Sequence, residues 1–211
     1  MKKVLCLLCL SFALCLSACG KEEPVKKSEI EIVKNDVYAE PNVPSDAQAK
    51  LFNKLSKAVN KDDDKETIAI LVAQNFAFDF FSLKNKESSS DVGGLTYLPE
   101  ASREDFTTFA SAYVYSNYAT IKNNEGVANL PMVNEVNVDG VEATTYDYTV
   151  RTAADAQAGT EASEITNTYD AWNITIGISY DKTSLNEDEL KKVATITVID
   201  FDGRLCVVSM N

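Results

Sequence analysis

Cys19 is the residue with the clearest chemistry in this chain. It ends the stretch Leu16-Ser17-Ala18-Cys19, in which a small pair precedes a thiol that a diacylglyceryl group can take up before cleavage leaves Cys19 as the new N-terminus. Ordinary secretory cleavage after Ala18 is the competing account, but it calls for a small residue three positions before the cut, and Leu16 is not small. Lipidation at Cys19 is therefore the expectation. The only thiol beyond it, Cys206, lies in Leu205-Cys206-Val207-Val208 and reads as a buried, inert core residue.

Other chemistries are excluded by what is missing. The chain has no histidine, which removes Ser-His-Asp and Cys-His nucleophile pairs and the usual nitrogen ligands for zinc. Asp62-Asp63-Asp64 suggests calcium, but no glycine or distal glutamate follows at EF-hand spacing, and Asp63 with Glu66 suits a capping pair for the next helix. No metal and no cofactor are expected. The formal charge is -12, and removal of the first 18 residues, which carry two lysines and no acids, takes it to -14. Nucleic acid and anionic lipid both call for a basic patch, and none is apparent. Neutral or cationic partners fit better, although acidity also keeps a protein soluble beside an anionic envelope.

The elements around these residues divide the chain in three. Lys2 and Lys3 precede the apolar run Val4–Leu14, so residues 1–18 read as a signal peptide, too short to remain as a membrane span. Residues 19–44 read as the lipidated cysteine and a flexible tether rich in Lys, Glu and Pro, with a reach on the order of 25 to 30 Å. Within it Ile30-Glu31-Ile32-Val33 alternates weakly, as an added strand would. Residues 45–211 then form one α+β domain. With Cys19 acylated it has no partner for a disulfide, so burial must hold it together. Two acyl chains would anchor it to the outer face of the bacterial cell membrane.

Ser45 or Asp46 caps a first helix with Leu51, Leu55 and Val59 as its apolar row. A second, about 64–83, is apolar almost all round and must be central, its one polar stripe being Asn75, Asp79 and Ser82. Gly93-Gly94 leads into a short strand at Leu95-Thr96-Tyr97-Leu98. Ser102 then opens a third helix to about Ile121, with Phe106, Phe109, Ala110 and Tyr113 buried. After Pro131 the period becomes alternating: a hairpin turning at Asp139-Gly140, a long loop at 152–166, the strand around Trp172, and a hairpin turning at Asp202-Gly203. The many tyrosines offer an apolar body and a polar tip that suit core packing, a cavity or a sugar-binding face.

This order of three N-terminal helices and then a curved antiparallel sheet resembles the nuclear-transport-factor-2-like (cystatin-like) fold, whose sheet wraps a helix into a cone. The likeness rests on element order, on Gly93-Gly94-Leu95-Thr96-Tyr97 before the Ser102 cap, and on the strand around Trp172. The chain is also similar to small bacterial lipoproteins that carry this fold behind a lipobox and tether. Enzymes of the superfamily place an Asp with Tyr or His inside the cone. The resemblance thus implies a pocket holding Asp79 with Tyr97, Tyr113, Tyr146 and Trp172 as candidates. A carboxylate enclosed by Phe76, Phe78 and Phe80 would have its pKa raised, as a general base or neutral donor needs. In the plainer account Asn75, Asp79 and Ser82 face solvent. The leading expectation is a non-catalytic binding or scaffolding domain for a protein or cell-envelope partner, with a homodimer through the sheet as one form of it. Small-molecule sensing in the cone comes second, and a cofactor-free isomerase or dehydratase using Asp79 third.

Overall fold

The computed structural model describes residues 27–152, 163–183 and 185–211. The expected signal stretch, Cys19 and residues 153–162 of the expected loop 152–166 lie outside them; the described ends of that loop, Thr152 and 163–166, are strand. Helices come first and strands second, as an α+β reading of the sequence requires.

Helix α1 (Asp46–Asn60) begins where predicted: the Ser45 side chain accepts a hydrogen bond from the Gln48 N–H, one of the donors that the first helical turn leaves unpaired. Helix α2 (Lys65–Phe81) is capped by Asp64, not Asp63. The chain turns through Asp62 at φ 55°, and the Asp64 carboxylate then accepts from the N–H and hydroxyl of Thr67 at 2.9 and 2.7 Å. Those two bonds, backbone first, hold the Asp64 carboxyl below its ordinary pKa. Helix α2 packs against α1 and all four strands, which is why nearly every side of it is apolar.

The third helix is divided. Helix α3 (Arg103–Phe109) passes into one π-helical turn, Ala110–Val114, and a second helix, α4 (Tyr118–Glu125), follows after a bend. The wider turn rotates the register, so Tyr115 enters the core, whereas Phe109 and Tyr113 are 55% and 74% exposed. Ser102 caps nothing, because a preceding 3-10 turn has already wound the chain and its hydroxyl donates to the Pro99 carbonyl at 2.9 Å. Leu95–Tyr97 is likewise a 3-10 turn and not a strand. It starts from Gly94 at φ 81°, where a Cβ would also lie 2.7 Å from the Phe76 ring.

The sheet is an antiparallel meander in the order β1-β2-β3-β4: β1 (Val133–Thr152), β2 (Ser163–Tyr180), β3 (Val193–Phe201) and β4 (Arg204–Met210). Asp202 and Gly203, at φ 53° and 85°, make the tight β3–β4 turn that the sequence predicts. Asp139-Gly140 does not turn. It sits in a bulge between Val138, opposite Ile176, and Gly140, opposite Thr175, and β1 runs on for 20 residues in all. Gly177 makes room for the bulge, since a Cβ there would lie 3.1 Å from Asp139 Oδ2. Strand β2 meets β3 only over Ala171–Gly177 but pairs with β1 from Ser163. Residues 145–152 and 163–170 therefore form a two-stranded ribbon beyond the sheet, about 25 Å long.

The expected tether is shorter than the sequence suggested, because from Ser28 onward the chain lies on the domain. Ser28 N–H donates to the Pro44 carbonyl, Asn53 bridges the Val33 N–H and Glu31 carbonyl at 2.7 and 2.8 Å, and Asn60 reaches the Lys34 carbonyl. Residues 30–33 form no strand. Tyr38 is buried, donates to the Leu205 carbonyl at 2.8 Å and lies under the Arg204 guanidinium. Side-chain amides of α1 carry this docking, which no apolar period could announce.

Candidate functional site

Asp79 does not face solvent, and neither does the stripe it belongs to. Asn75 is 2% exposed and Ser82 is fully buried, with Asn75 Nδ2 donating to the Leu71 carbonyl and Ser82 Oγ accepting from the Val133 N–H. Asp79 Oδ2 accepts from the Gly94 N–H at 2.6 Å; Oδ1 accepts from Lys86 Nζ at 2.6 Å and from Gln48 Nε2 at 3.4 Å. The Lys86 side chain is only 7% exposed, so the pair is largely desolvated. Two tyrosines bolt the same loop from the other side. Tyr115 donates to the Phe80 carbonyl at 2.5 Å and accepts from the Gly93 N–H, while Tyr118 donates to the Lys86 carbonyl. Burial holds the Tyr115 phenol well above its ordinary pKa, and does the same for Tyr97, to which the nearby Asp79 charge adds. Both Asp79 oxygens are thus committed to the loop 84–94, and the carboxylate works as a staple. A single-residue reading could not find Lys86, Gln48, Tyr115 and Tyr118, because they converge from three separate segments.

The other pocket candidates do not join Asp79 in one cavity. Tyr97 stacks at a tilt on Tyr38, 5.4 Å between centroids. Trp172 belongs to the main core on the helix-facing side of β2. Tyr146 lies on the opposite face of the sheet, and Tyr113 is exposed on the π-helical turn. Among the described residues no cluster of acids or thiols could hold a metal ion, and no helix is long and apolar enough to cross a membrane.

Two further features expose apolar side chains at the surface. One is an open groove of about 450 Å³ between the end of α2, α4 and the segment after β2, with Phe81, Val114, Ile121, Tyr180 and Leu185 in its walls and Glu125, Glu189 and Lys191 at its rim. The other is the sheet face turned away from the helices. There Ala171, Ile199 and Cys206 are buried beneath half-buried Tyr146, Tyr148, Tyr169, Phe201 and Val208. Tyr148 meets Phe201 edge-on at 5.6 Å and Tyr169 meets it at 5.4 Å. The cross-strand register carries this apolar row out along the ribbon to Val150 and Ile165, the latter 58% exposed. The ribbon's other face is Thr145, Asp147, Thr149 and Arg151 against Glu164, Thr166, Thr168 and Asp170, all polar. Alternation at period two thus gives the ribbon two unlike faces, and on the apolar one Ser102, in the turn before α3, is hydrogen-bonded to Tyr148 while Arg103 lies close to Cys206.

Compared with protein-family models, curated proteins and solved structures, the chain matches none.

Proposed function

We propose that this chain is a lipid-anchored extracytoplasmic protein whose domain binds a protein or cell-envelope partner without catalysis, the partner resting on the outer sheet face and its ribbon. The observation that carries the reading is the apolar row Tyr146, Tyr148, Val150 and Ile165 that runs out from Phe201 and Tyr169, broken on β2 by Asn167, on a projecting pair of strands that meets the body through Tyr148, against Phe201 and hydrogen-bonded to Ser102. Exposed apolar area of this kind is a common mark of an interaction surface. The anchor rests on Leu16-Ser17-Ala18-Cys19, and the body is proposed as a distant variant of the nuclear-transport-factor-2-like cone. The commitment of both Asp79 oxygens to the loop favours binding over an isomerase or dehydratase.

A photo-crosslinking residue placed at Tyr148 or Ile165 of the full chain, on intact cells, should trap one recurrent species; the same group at Lys50, on α1, should not. Equal capture at both places, or none at either, would refute the reading. Recovery of a doubled mass would identify a second copy through the sheet as the partner. A second reading is small-molecule binding in the groove, favoured by its volume and apolar walls. Native mass spectrometry of protein purified from its host would show a bound mass that Ile121→Lys removes, and a clean spectrum before substitution would dismiss it.

A further inference from the structure

We infer that Arg103 and Arg204 form an oxyanion site on the outer side of the sheet, where the ribbon joins the body, and that it takes one carboxylate or phosphate group. The inference goes beyond the binding reading above and is tested without it.

The chain has three arginines. Arg151 is paired with Glu164 at 2.8 Å, out on the ribbon. The other two come from distant parts of the sequence, the start of α3 and the start of β4, and are gathered on one short stretch of backbone. Arg103 Nη2 donates to the Leu98 carbonyl at 3.4 Å, and Arg204 Nη2 donates to the Thr96 carbonyl. Both bear on the same thiol: burial raises the Cys206 pKa, and the charges of Arg204 and then Arg103 act against that rise. Beside them the Ser102 side chain is hydrogen-bonded to the Tyr148 phenol.

Packing accounts for where the two forks lie. The carbonyls hold one nitrogen of each, and the Tyr38 ring lies 5.4 Å from the Arg204 guanidinium. It leaves their charge and most of their donors unused. The Nε–H of each arginine is buried with no protein acceptor, and a buried donor left unpaired costs free energy. Among the described residues neither guanidinium is paired with a carboxylate, although acids outnumber bases 32 to 20 in the chain. The acids nearest in sequence, Glu100, Glu104, Asp105 and Asp202, are exposed and form no ion pair with them. Asp200, opposite Leu205 on β3, is taken by Lys65.

One oxyanion between the forks would supply both the missing acceptors and the missing charge. Arginine forks match the paired oxygens of carboxylate and phosphate, which is what selects this class of ligand. Both residues are partly exposed, so their outer ends give a way in from the surface. With two cations and four exposed acids close by in the sequence, the site suits a single anionic group and not a polyanion. Reading the sequence for a basic patch could not find it, because its two residues are brought together only by the turn before α3.

The test uses the full chain in detergent with isotope-labelled arginine, and follows the three Nε–H signals by NMR as inorganic phosphate or acetate is added at constant ionic strength. Arg103 and Arg204 should shift along a saturating curve. Arg151, whose Nε already donates to Glu164, should not saturate. Arg103→Gln should weaken the response of Arg204 at least about tenfold, because the charge-assisted bonds of one fork are gone. Arg103→Lys, which keeps the charge and loses the fork, should weaken it by less and serves if the glutamine variant does not fold. Tighter saturation by phosphate would assign a phosphoryl group, and tighter saturation by acetate a carboxylate; either upholds the site. Absence of saturation with both anions, equal movement of all three arginines, or an Arg204 response unchanged in both variants would overturn it. Trapping at Tyr148 and Ile165 on cells does not depend on the anion, so the binding reading stands or falls separately.

Discussion

The body of the molecule and its ribbon are built from similar residues under opposite rules. In the body, α2 is enclosed: Phe76 and Phe80 stack at 5.4 Å, Phe106 and Tyr115 close on Phe80 at 5.3 and 5.7 Å, and Trp172, Ile174, Ile196 and Val198 meet the helix from the sheet. In the ribbon, Tyr146, Tyr148, Val150 and Ile165 line one side of two strands, where only Tyr148 meets Phe201 and Ser102 and Ile165 is 58% exposed. Each apolar group in the body is in contact all round, whereas the ribbon's rings touch neighbours on one side and water on the other. Local stability follows layer count, since two strands without a covering layer are marginal in water.

This contrast can be broken most directly in the core. Phe80→Ala should cost about 3 to 5 kcal/mol in urea unfolding, the usual range for an enclosed aromatic ring. Ile165→Ala should cost under about 1 kcal/mol, because an exposed side chain leaves no cavity. Similar losses at the two sites would mean that the ribbon has a covering layer after all.

Lys86→Met sharpens the account of the Asp79 staple. It leaves a largely buried carboxylate without its cation and should cost about 2 to 3 kcal/mol. Adding Asp79→Asn should recover part of that loss, as the amide oxygen can still accept from the Gly94 N–H while the stranded charge is gone. Independent, additive effects would show that the pair is not coupled.

Alkaline pH should loosen the body, where several buried phenols lie, and act on the ribbon through Tyr148, whose phenol burial also raises. Burial raises the phenol pKa of Tyr38, Tyr97 and Tyr115 above the ordinary value of 10. The unfolded chain therefore gives up these protons first, and stability present below pH 10 falls as the pH rises above it. The urea midpoint should drop between pH 9 and pH 11, with tyrosinate absorbance appearing together with unfolding. Phenols that ionise in the folded protein near pH 10 would contradict the burial.

Smaller still is the cap of α1: Ser45→Ala should cost about 1 kcal/mol, and Ser45→Asp should restore most of it. At the bottom of the order, Thr166→Ala on the polar side of the ribbon should change stability by less than about 0.5 kcal/mol, although it removes the 2.8 Å contact with Thr149. A loss as large as that of Ser45→Ala would mean that the ribbon is held by more than its own strands.

Local signals settled some of the architecture on their own. The Ser45 cap, the enclosed character of α2, the burial of Cys206 and the β3–β4 turn at Asp202-Gly203 all follow from residue type and spacing within a few positions. Each depends on physics that acts over one or two turns of chain: an unpaired N–H needing an acceptor, a period matching one face or all of a helix, a turn needing positive φ. The proposed lipobox rests on a pattern of the same kind, in contiguous residues.

Tertiary packing decided what contiguous residues could not. Asp139-Gly140 has the composition of a turn, yet partners along β2 hold β1 straight through it and a bulge absorbs the extra residue. Asn75 and Ser82 look like a solvent stripe, yet α1 and Pro131–Val133 cover them with hydrogen bonds from other segments. The 28–44 segment has the composition of a tether, but Asn53, Asn60 and the Leu205 carbonyl give its polar groups partners. Asp79 was legible as an unusual carboxylate, but not as a staple, because Lys86 and the Gly94 N–H reach it only once a loop has folded back. The partner of residues 141–151 was placed across Asp139-Gly140 for the same reason, whereas it is β2: alternation shows that a strand has two faces, and only the assembled sheet shows which strand lies beside it and which face is covered.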